Sequence, residues 1–513
     1  MAKAHHVILS YMMPAGNLVA IGRPNGASVE PKNLVFILSD EHQRDIAGCY
    51  GDRSAITPNI DALASRGTRF MSAYTPCPIC VPARAALATG QWVHQTKSWD
   101  NAAPYHGQAT TWHHRLRDNG HRVVSIGKLH FRATADDNGF SEEILPLHVL
   151  DGIGDLVGML RSPPAYRGTT PALAKDAGPG ESTYNDYDTA IASAACDWIA
   201  KEANRGGKPW VLFVSFVRPH FPLTPPSEFY DLYPLERMSM PRLYDKASHP
   251  RHPAVAALKS VMNYDDYFAD DLAVRRAIAS YYALVSFLDH NIGRVIAAVE
   301  AAGLTASTRV IYTSDHGDNL GARGLWGKSV MYEESVAIPM IIAGTGVTPG
   351  AVVDTPVSLV DCYRSVLEAV GCPCSAEDRA RPSESLWDIA AGARPDRTVI
   401  SEYHAVASIT GSFMIRHSRW KYIHYVGYRP ELFDLESDPG ETIDIAGRPD
   451  MAPVIAECKA ALLRICDPEA VNAEAFADQR RRIAQHGGRE AIIARGDYGY
   501  TPAPGEKPAF SVR

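Results

Sequence analysis

The residues of this chain best placed to do chemistry lie in Thr75-Pro-Cys-Pro-Ile-Cys-Val-Pro-Ala-Arg-Ala-Ala-Leu-Ala-Thr-Gly90, which carries Cys80 and Arg84. Residues 81–89 read as a short helix, with Pro82 in its first turn and Gly90 as its stop. Residue 80 then sits at the helix N-terminus, where free N–H groups and the macrodipole favour an anion. Arg84 is one turn on, close enough to neutralise charge on the same group. Two plainer readings compete with a nucleophile: a buried cysteine ahead of an ordinary helix, and a reversible disulfide across Cys77-Pro-Ile-Cys80.

Four further constellations follow apolar strand patterns or border loops. Asp40-Glu41 closes the apolar run Asn33–Leu38. Adjacent carboxylates at a strand end are costly unless a cation neutralises them, so a divalent metal is expected; Glu41 turned to solvent is the plainer alternative. Ser314-Asp315-His316-Gly317-Asp318 follows the run Val310–Thr313. In Gly127-Lys128-Leu129-His130, alternation at a strand end puts Lys128 and His130 on one side, a point charge for an anion beside a base. Arg218-Pro-His220-Phe-Pro222 and Gly324-Leu-Trp-Gly-Lys328 add one more histidine and one more lysine. Asn101, in Trp99-Asp-Asn, is a weaker candidate, since asparagine there serves equally well in a turn.

Taken in this order, the motifs resemble those of the formylglycine-dependent sulfatases, a branch of the alkaline phosphatase superfamily. The nearest likenesses are to arylsulfatases, choline sulfatases and phosphonate monoester hydrolases. The resemblance implies that a maturation enzyme oxidises Cys80 to formylglycine and that the hydrated aldehyde is the nucleophile. It implies Asp40, Glu41, residue 80, Asp315 and His316 as metal ligands, and Cys80, Arg84, His130 and His220 as catalytic. Lys128, Lys328 and Asn101 would bind substrate, with His220 the preferred acid for the leaving alcohol, shared with Lys328. Two positions depart from the pattern. Many arylsulfatases have Asp-Asp early and Asp-Asn late, whereas this chain has Glu41 and His316. Phosphonate monoester hydrolases and choline sulfatases share the late histidine but carry Gln beside the first Asp. A nitrogen among oxygens moves the metal preference from calcium toward manganese or another borderline cation, with magnesium also open. Phosphonate monoester hydrolases tend to have Tyr and Thr where this chain has Lys128 and His130, which favours sulfate monoesters. The expected activity is hydrolysis of aryl sulfates, with promiscuity toward phosphonate monoesters and phosphodiesters. Choline sulfatase and phosphonate monoester hydrolase are the alternatives, and a metal-binding or redox protein using Cys77 and Cys80 is the alternative from another class.

The elements that must position these residues alternate along the chain. Strand patterns at Asn33–Leu38, His121–Ile126, Trp210–Phe216, Arg309–Ser314 and Pro339–Ala343 are separated by helical patterns at 184–203 and 274–302, with 358–370 after the last. The expected fold is α/β, a large mainly parallel sheet sandwiched by helices, alkaline phosphatase-like by the resemblance, with a small C-terminal antiparallel sheet subdomain. Residues 1–31 read as an irregular extension, 32–394 as the catalytic domain, 395–466 as the C-terminal α+β subdomain and 467–513 as a tail suited to contact a second subunit. The Gly- and Pro-rich stretch 141–180, and 222–270, read as surface excursions that shape a pocket. A net charge of −7 without a long basic block speaks against nucleic acid. No apolar run of membrane-spanning length occurs. Nine scattered cysteines suit a reducing compartment, so a cytoplasmic protein is expected, with the periplasm as the alternative. A homodimer or homotetramer is expected.

Overall fold

A run that is apolar at every position can be buried on both faces, and β1 (Asn33–Asp40) is: Leu34, Val35, Phe36, Ile37 and Leu38 have no exposed surface. Leu34, Phe36 and Leu38 pack on one side with Trp112, Phe213 and Val366. Val35 and Ile37 pack on the other with Ile191, Ile292 and Tyr312. The structure, a computed structural model, describes residues 30–202, 205–393 and 396–511. The expected N-terminal extension lies, up to residue 29, outside the described residues.

In chain order the strands of this region are β1, β2 (Gly67–Phe70), β3 (Ala73–Tyr74), β4 (Val123–Lys128), β5 (Glu142–Leu147), β6 (Val211–Pro219), β7 (Thr308–Ser314), β8 (Met340–Ala343), β9 (Ala351–Val353) and β10 (Val357–Ser358). Eight form one sheet in the order β5-β4-β6-β1-β7-β8-β2-β9, while β3 pairs with β10. Strands β5, β4, β6, β1 and β7 run parallel, and β8 runs antiparallel to both β7 and β2. The helices Thr183–Glu202 and Asp271–Ala301 cover one face; Trp112–Asp118 and Cys362–Val370 cover the other. The sheet is therefore large, mixed and mostly parallel, between helical layers.

A second sheet, antiparallel and four-stranded, follows: β11 (Thr398–Tyr403), β12 (Ser412–His417), β13 (Trp420–Tyr425) and β14 (Glu431–Asp434), in that spatial order. The helix Ala452–Leu463 lies against it. Its core is continuous with the loop before Cys80, since Phe413, Ile423 and Leu462 share a cluster with Tyr74, Cys77 and Ile79.

One part differs from the sequence reading. Glu142–Leu147, inside a stretch read as a surface excursion, is the edge strand β5. Its residues are largely exposed or half-buried, so it lacks the apolar run that marks β1. The tail forms two helices, Pro468–Gln485 and Gly488–Arg495, and then a loop whose ends pair at Asp497 and Ser511. It lies against its own chain.

Candidate active site

In open α/β sheets ligands bind beyond the carboxyl ends of the strands, and the register here delivers the chemistry to that edge. Ser39 on β1 is level with Ser314 on β7, and Asp40 with Pro219 on β6, so Asp40, Asp315 and the turn to His220 leave the sheet side by side. Strand β4, next to β6, ends in Lys128. The helix Cys80–Thr89 begins at the same edge with Cys80 in its first position. It stops at Gly90, which is left-handed (φ 63°) and donates its N–H to Ala86 O at 2.8 Å.

Arg84, buried, organises the charges. Its Nε donates to Asp315 Oδ2 (2.8 Å) and its Nη2 to Asp40 Oδ2 (3.1 Å). Its Nη1 donates to Lys128 O (2.8 Å) and Ser215 Oγ (2.9 Å). Lys128 Nζ pairs with Asp40 Oδ2 as well. Burial alone would raise the Asp40 carboxyl, but Lys128 and Arg84 hold it well below the usual carboxylate range.

With each Oδ2 engaged by cations, the two Oδ1 atoms share a gap. Asp40 Oδ1 is 3.6 Å from Cys80 Sγ and 3.8 Å from His316 Nε2. Asp315 Oδ1 is 3.6 Å from His316 Nε2, which is 3.2 Å from Cys80 Sγ. His316 Nδ1 lies 3.1 Å from Gly317 O. A carbonyl only accepts, so Nδ1 carries the hydrogen and Nε2 presents its lone pair to the gap. Two carboxylate oxygens, an imidazole nitrogen and the side chain of residue 80, all buried and within 4.8 Å of one another, fit one divalent cation.

Glu41 is turned elsewhere. It is left-handed at φ 71°, and its Oε2 lies 2.7 Å from Lys328 Nζ and 3.3 Å from His220 Nε2. It groups with Asp40 and His220, apart from the gap shared by Asp315 and His316, and its Oε1 has no hydrogen-bond partner. Burial pushes the Glu41 carboxyl well above its ordinary range against the pull of Lys328. His220 donates from Nδ1 to Phe221 O (2.7 Å), and burial together with Lys328 keeps its imidazole from charging. Lys328 is the opposite case: burial disfavours its charge, but the Asp40 carboxylate and the hydrogen bond to Glu41 raise its pKa above the ordinary lysine value.

Lys128, His130, His220, Lys328, Asn101 and Cys80 all line one cavity of about 320 Å³. His130, also left-handed (φ 55°), lies with Nε2 3.1 Å from Thr501 Oγ1, while its Nδ1 is buried without a partner. Asn101 Oδ1 accepts the N–H of Val81 at 3.1 Å, so it caps the first turn of the Cys80 helix while facing the cavity. Cys77 does not line the cavity; its side chain belongs to the apolar cluster beneath. Burial raises both thiols, that of Cys80 up to about 12 with Asp40 adding to the effect.

Several positioning residues escaped the sequence reading. Ser215 on β6 receives Arg84. Asp188 accepts the N–H groups of Val217 and Arg218 (2.8 and 2.9 Å), and Asn185 Oδ1 accepts Arg218 Nε (2.7 Å), so one helix face steers the His220 turn. Asp318 accepts the N–H groups of Leu320 (2.6 Å) and Gly327 (3.1 Å), folding the loop back so that Lys328 returns to the site. Asp318 stood within a recognised motif and Asn185-Asp-Tyr-Asp188 has helical spacing, but nothing local marks Ser215 or Thr501.

The sulfatase family model matches residues 32–372, and the model described as N-sulphoglucosamine sulphohydrolase, C-terminal, matches residues 321–467. The chain is 31% identical to the choline-sulfatase of Rhizobium meliloti (strain 1021) over 76% of its length and 78% of that protein's. It is also 31% identical to arylsulfatase K of Danio rerio, over 83% of each chain. Among solved structures it resembles the phosphonate monoester hydrolase of Agrobacterium radiobacter, with a TM-score of 0.67 and 24% identity, covering 86% of this chain and 96% of that one. At that identity the likeness bears on the fold.

Proposed function

Since the chain belongs to the sulfatase family and is a sulfuric ester hydrolase, we propose that its substrates are aryl sulfate monoesters, turned over at the cavity above Cys80. The observation that carries this reading is the composition of that cavity. Its floor gathers Lys128, Lys328 and Cys80, and its walls include Tyr184, Phe221, Tyr264, Tyr498 and Tyr500. The lysines suit the sulfate, and the rings around them, Phe221 lying 5.4 Å from Lys328 Nζ, suit a flat apolar alcohol.

Asp40, Asp315, His316 and residue 80 would hold a divalent cation, which when bound would supply positive charge to acidify the nucleophile and offset charge on the ester oxygens. The nitrogen in this set favours manganese over calcium. Oxidation of Cys80 to formylglycine by a maturation enzyme supplies a hydrated aldehyde where the buried thiol would be a weak nucleophile. Arg84 fixes both aspartates and neutralises charge at the helix start. Lys128 and Lys328 bind the sulfate oxygens, and being fixed before substrate arrives they need no reorganisation during reaction. Lys328 and His220 share the protonation of the leaving oxygen, His220 giving its proton from Nε2 when its imidazole is charged. His130, which lines the cavity and meets Thr501 Oγ1 through Nε2, is assigned the role of base.

Choline sulfate is the second reading, favoured by the same rings, which suit a quaternary ammonium. The test is a rate profile across an aryl sulfate, choline sulfate and a phosphonate monoester, on converted protein of measured metal content. The aryl sulfate is expected to show the highest kcat/KM; a phosphonate turned over far faster than both sulfates would refute the proposal. We further assign catalysis to residues 32–394. All nine cysteines are free, which supports a cytoplasmic setting, and a homo-oligomer is retained from the sequence reading. Among the described residues no helix is long and apolar enough to cross a membrane.

A further inference from the structure

The cavity is not closed by the sheet loops alone. Its outer wall is the last described segment of the chain, from which Tyr498, Gly499, Tyr500, Thr501, Pro502 and Glu506 reach the lining. The ends of this segment are tied: Asp497 N donates to Ser511 O (3.0 Å) and Ser511 N to Asp497 O (2.7 Å), giving a closed Ω-shaped loop. Its base is anchored by Arg167 Nη2 on Asp497 Oδ1 (2.8 Å) and by Thr169 Oγ1, which donates to Asp497 Oδ2 (2.9 Å). The inner side is fastened to the site. Tyr184 OH donates to Thr501 O (2.5 Å), Thr501 Oγ1 meets His130 Nε2 (3.1 Å), and the Tyr500 ring packs edge-on against Tyr184 at 5.0 Å. Glu506 Oε2 accepts from Thr183 Oγ1 (2.8 Å) and from Ala503 N (3.1 Å), and prolines at 502, 504 and 508 stiffen the span.

We propose that the loop Asp497–Ser511 is the specificity element of the site, roofing it so that only sulfate esters of small, one-ring-sized alcohols are accepted and sulfated oligosaccharides are excluded. The inference rests on the sulfatase reading above. The size argument is direct: about 320 Å³ is near the lower end of the roughly 300–1,000 Å³ of small-molecule sites, and an oligosaccharide would have to pass through the span held by Thr501 and Glu506. Two different contacts divide the work. Tyr500 is wall, and its loss acts on substrate binding. Thr501 touches His130, and acts as a positioning residue through that histidine.

The test compares a one-ring aryl sulfate with a sulfated tetrasaccharide, using converted enzyme of all 513 residues, a chain ending at Gly496, and the variants Tyr500→Ala and Thr501→Val. The wild type is expected to prefer the aryl sulfate at least 1,000-fold in kcat/KM, and the shortened chain to lower that ratio at least 100-fold. Tyr500→Ala is expected to raise KM for the aryl sulfate several-fold with kcat little changed. Thr501→Val is expected to lower kcat and shift the pH profile of kcat/KM with KM little changed. These two point variants keep the proposal testable if the shortened chain does not fold. Turnover of the aryl sulfate by every protein with an unchanged ratio and unchanged KM overturns the inference and leaves the sulfatase reading standing. No turnover of any sulfate by the converted wild type overturns both.

Discussion

At Cys80 the electrostatics disfavour the unmodified thiol as the reacting group. Burial and the nearby Asp40 push its pKa up to about 12, so almost no thiolate exists at neutral pH. Activity should therefore track conversion. Intact-mass measurement is expected to find the active fraction lighter by the difference between a thiol and an aldehyde, and Cys80→Ala is expected to lose at least about a thousandfold in kcat. Full activity with an unmodified cysteine would refute the mechanism. Arg84 offers a finer test. Its four hydrogen bonds reach Asp315, Asp40, Lys128 and Ser215, a fork that one ammonium cannot reproduce. Arg84→Lys keeps the charge, yet kcat/KM is expected to fall about 100-fold, roughly 2.7 kcal/mol of transition-state stabilisation. A fall below threefold in steady-state assays would reduce Arg84 to a source of charge alone.

At the scale of elements, the helix that carries Cys80 ends where a side chain does not fit. Gly90 sits at φ 63°, and a Cβ there would lie 2.6 Å from the Tyr363 side chain. Gly90→Ala is expected to cost about 1–3 kcal/mol, read as a lowered urea midpoint; an unchanged midpoint would mean the helix end yields freely. This element was legible in the sequence because its signals are local: a proline in the first turn, small residues within, glycine at the end. Strand β1 was legible for a similar reason, an apolar run with no polar interruption. Strand β5 was not, because an edge strand with exposed and half-buried residues has neither an apolar run nor strict alternation. The site divides in the same way. Asp40, Lys128, Asp315 and His316 stand at the ends of readable strands. Ser215 lies inside an apolar strand, and Thr501 meets His130 across 371 positions of sequence, a pairing that no local pattern encodes. The partner of Glu41 was likewise unreadable, since it depends on how the loop after β7 folds back on Asp318.

At the scale of the whole molecule, the small sheet is bound to the catalytic loops through buried charge. Lys421 on β13 pairs with Glu333 (2.9 Å) and Glu441 (2.7 Å), and Arg44 pairs with Glu333 from the other side (3.0 Å). Beside them Glu431 on β14 accepts from Tyr425 OH (2.8 Å) and Tyr332 OH (3.2 Å), and it is only 4% exposed. Arg429 offsets its burial only in part, with Asp444 adding to it, and its pKa rises from 4.5 to about 7. The folded state therefore keeps this proton over a range in which the unfolded chain has released it. Its contribution to stability is fully present below pH 4.5 and is lost as pH rises through about 7. Glu431→Gln keeps the shape and removes the titration, so the two proteins isolate the effect. Wild-type stability minus that of the variant, from urea unfolding at successive pH values, is expected to fall by about 3 kcal/mol between pH 4.5 and 7. Other groups titrate in this window but cancel in the difference, because they are common to both proteins. A difference that stays flat, or that rises with pH, would show that Glu431 is ionised in the folded state and that the joint between sheet and loops tolerates an unpaired buried carboxylate.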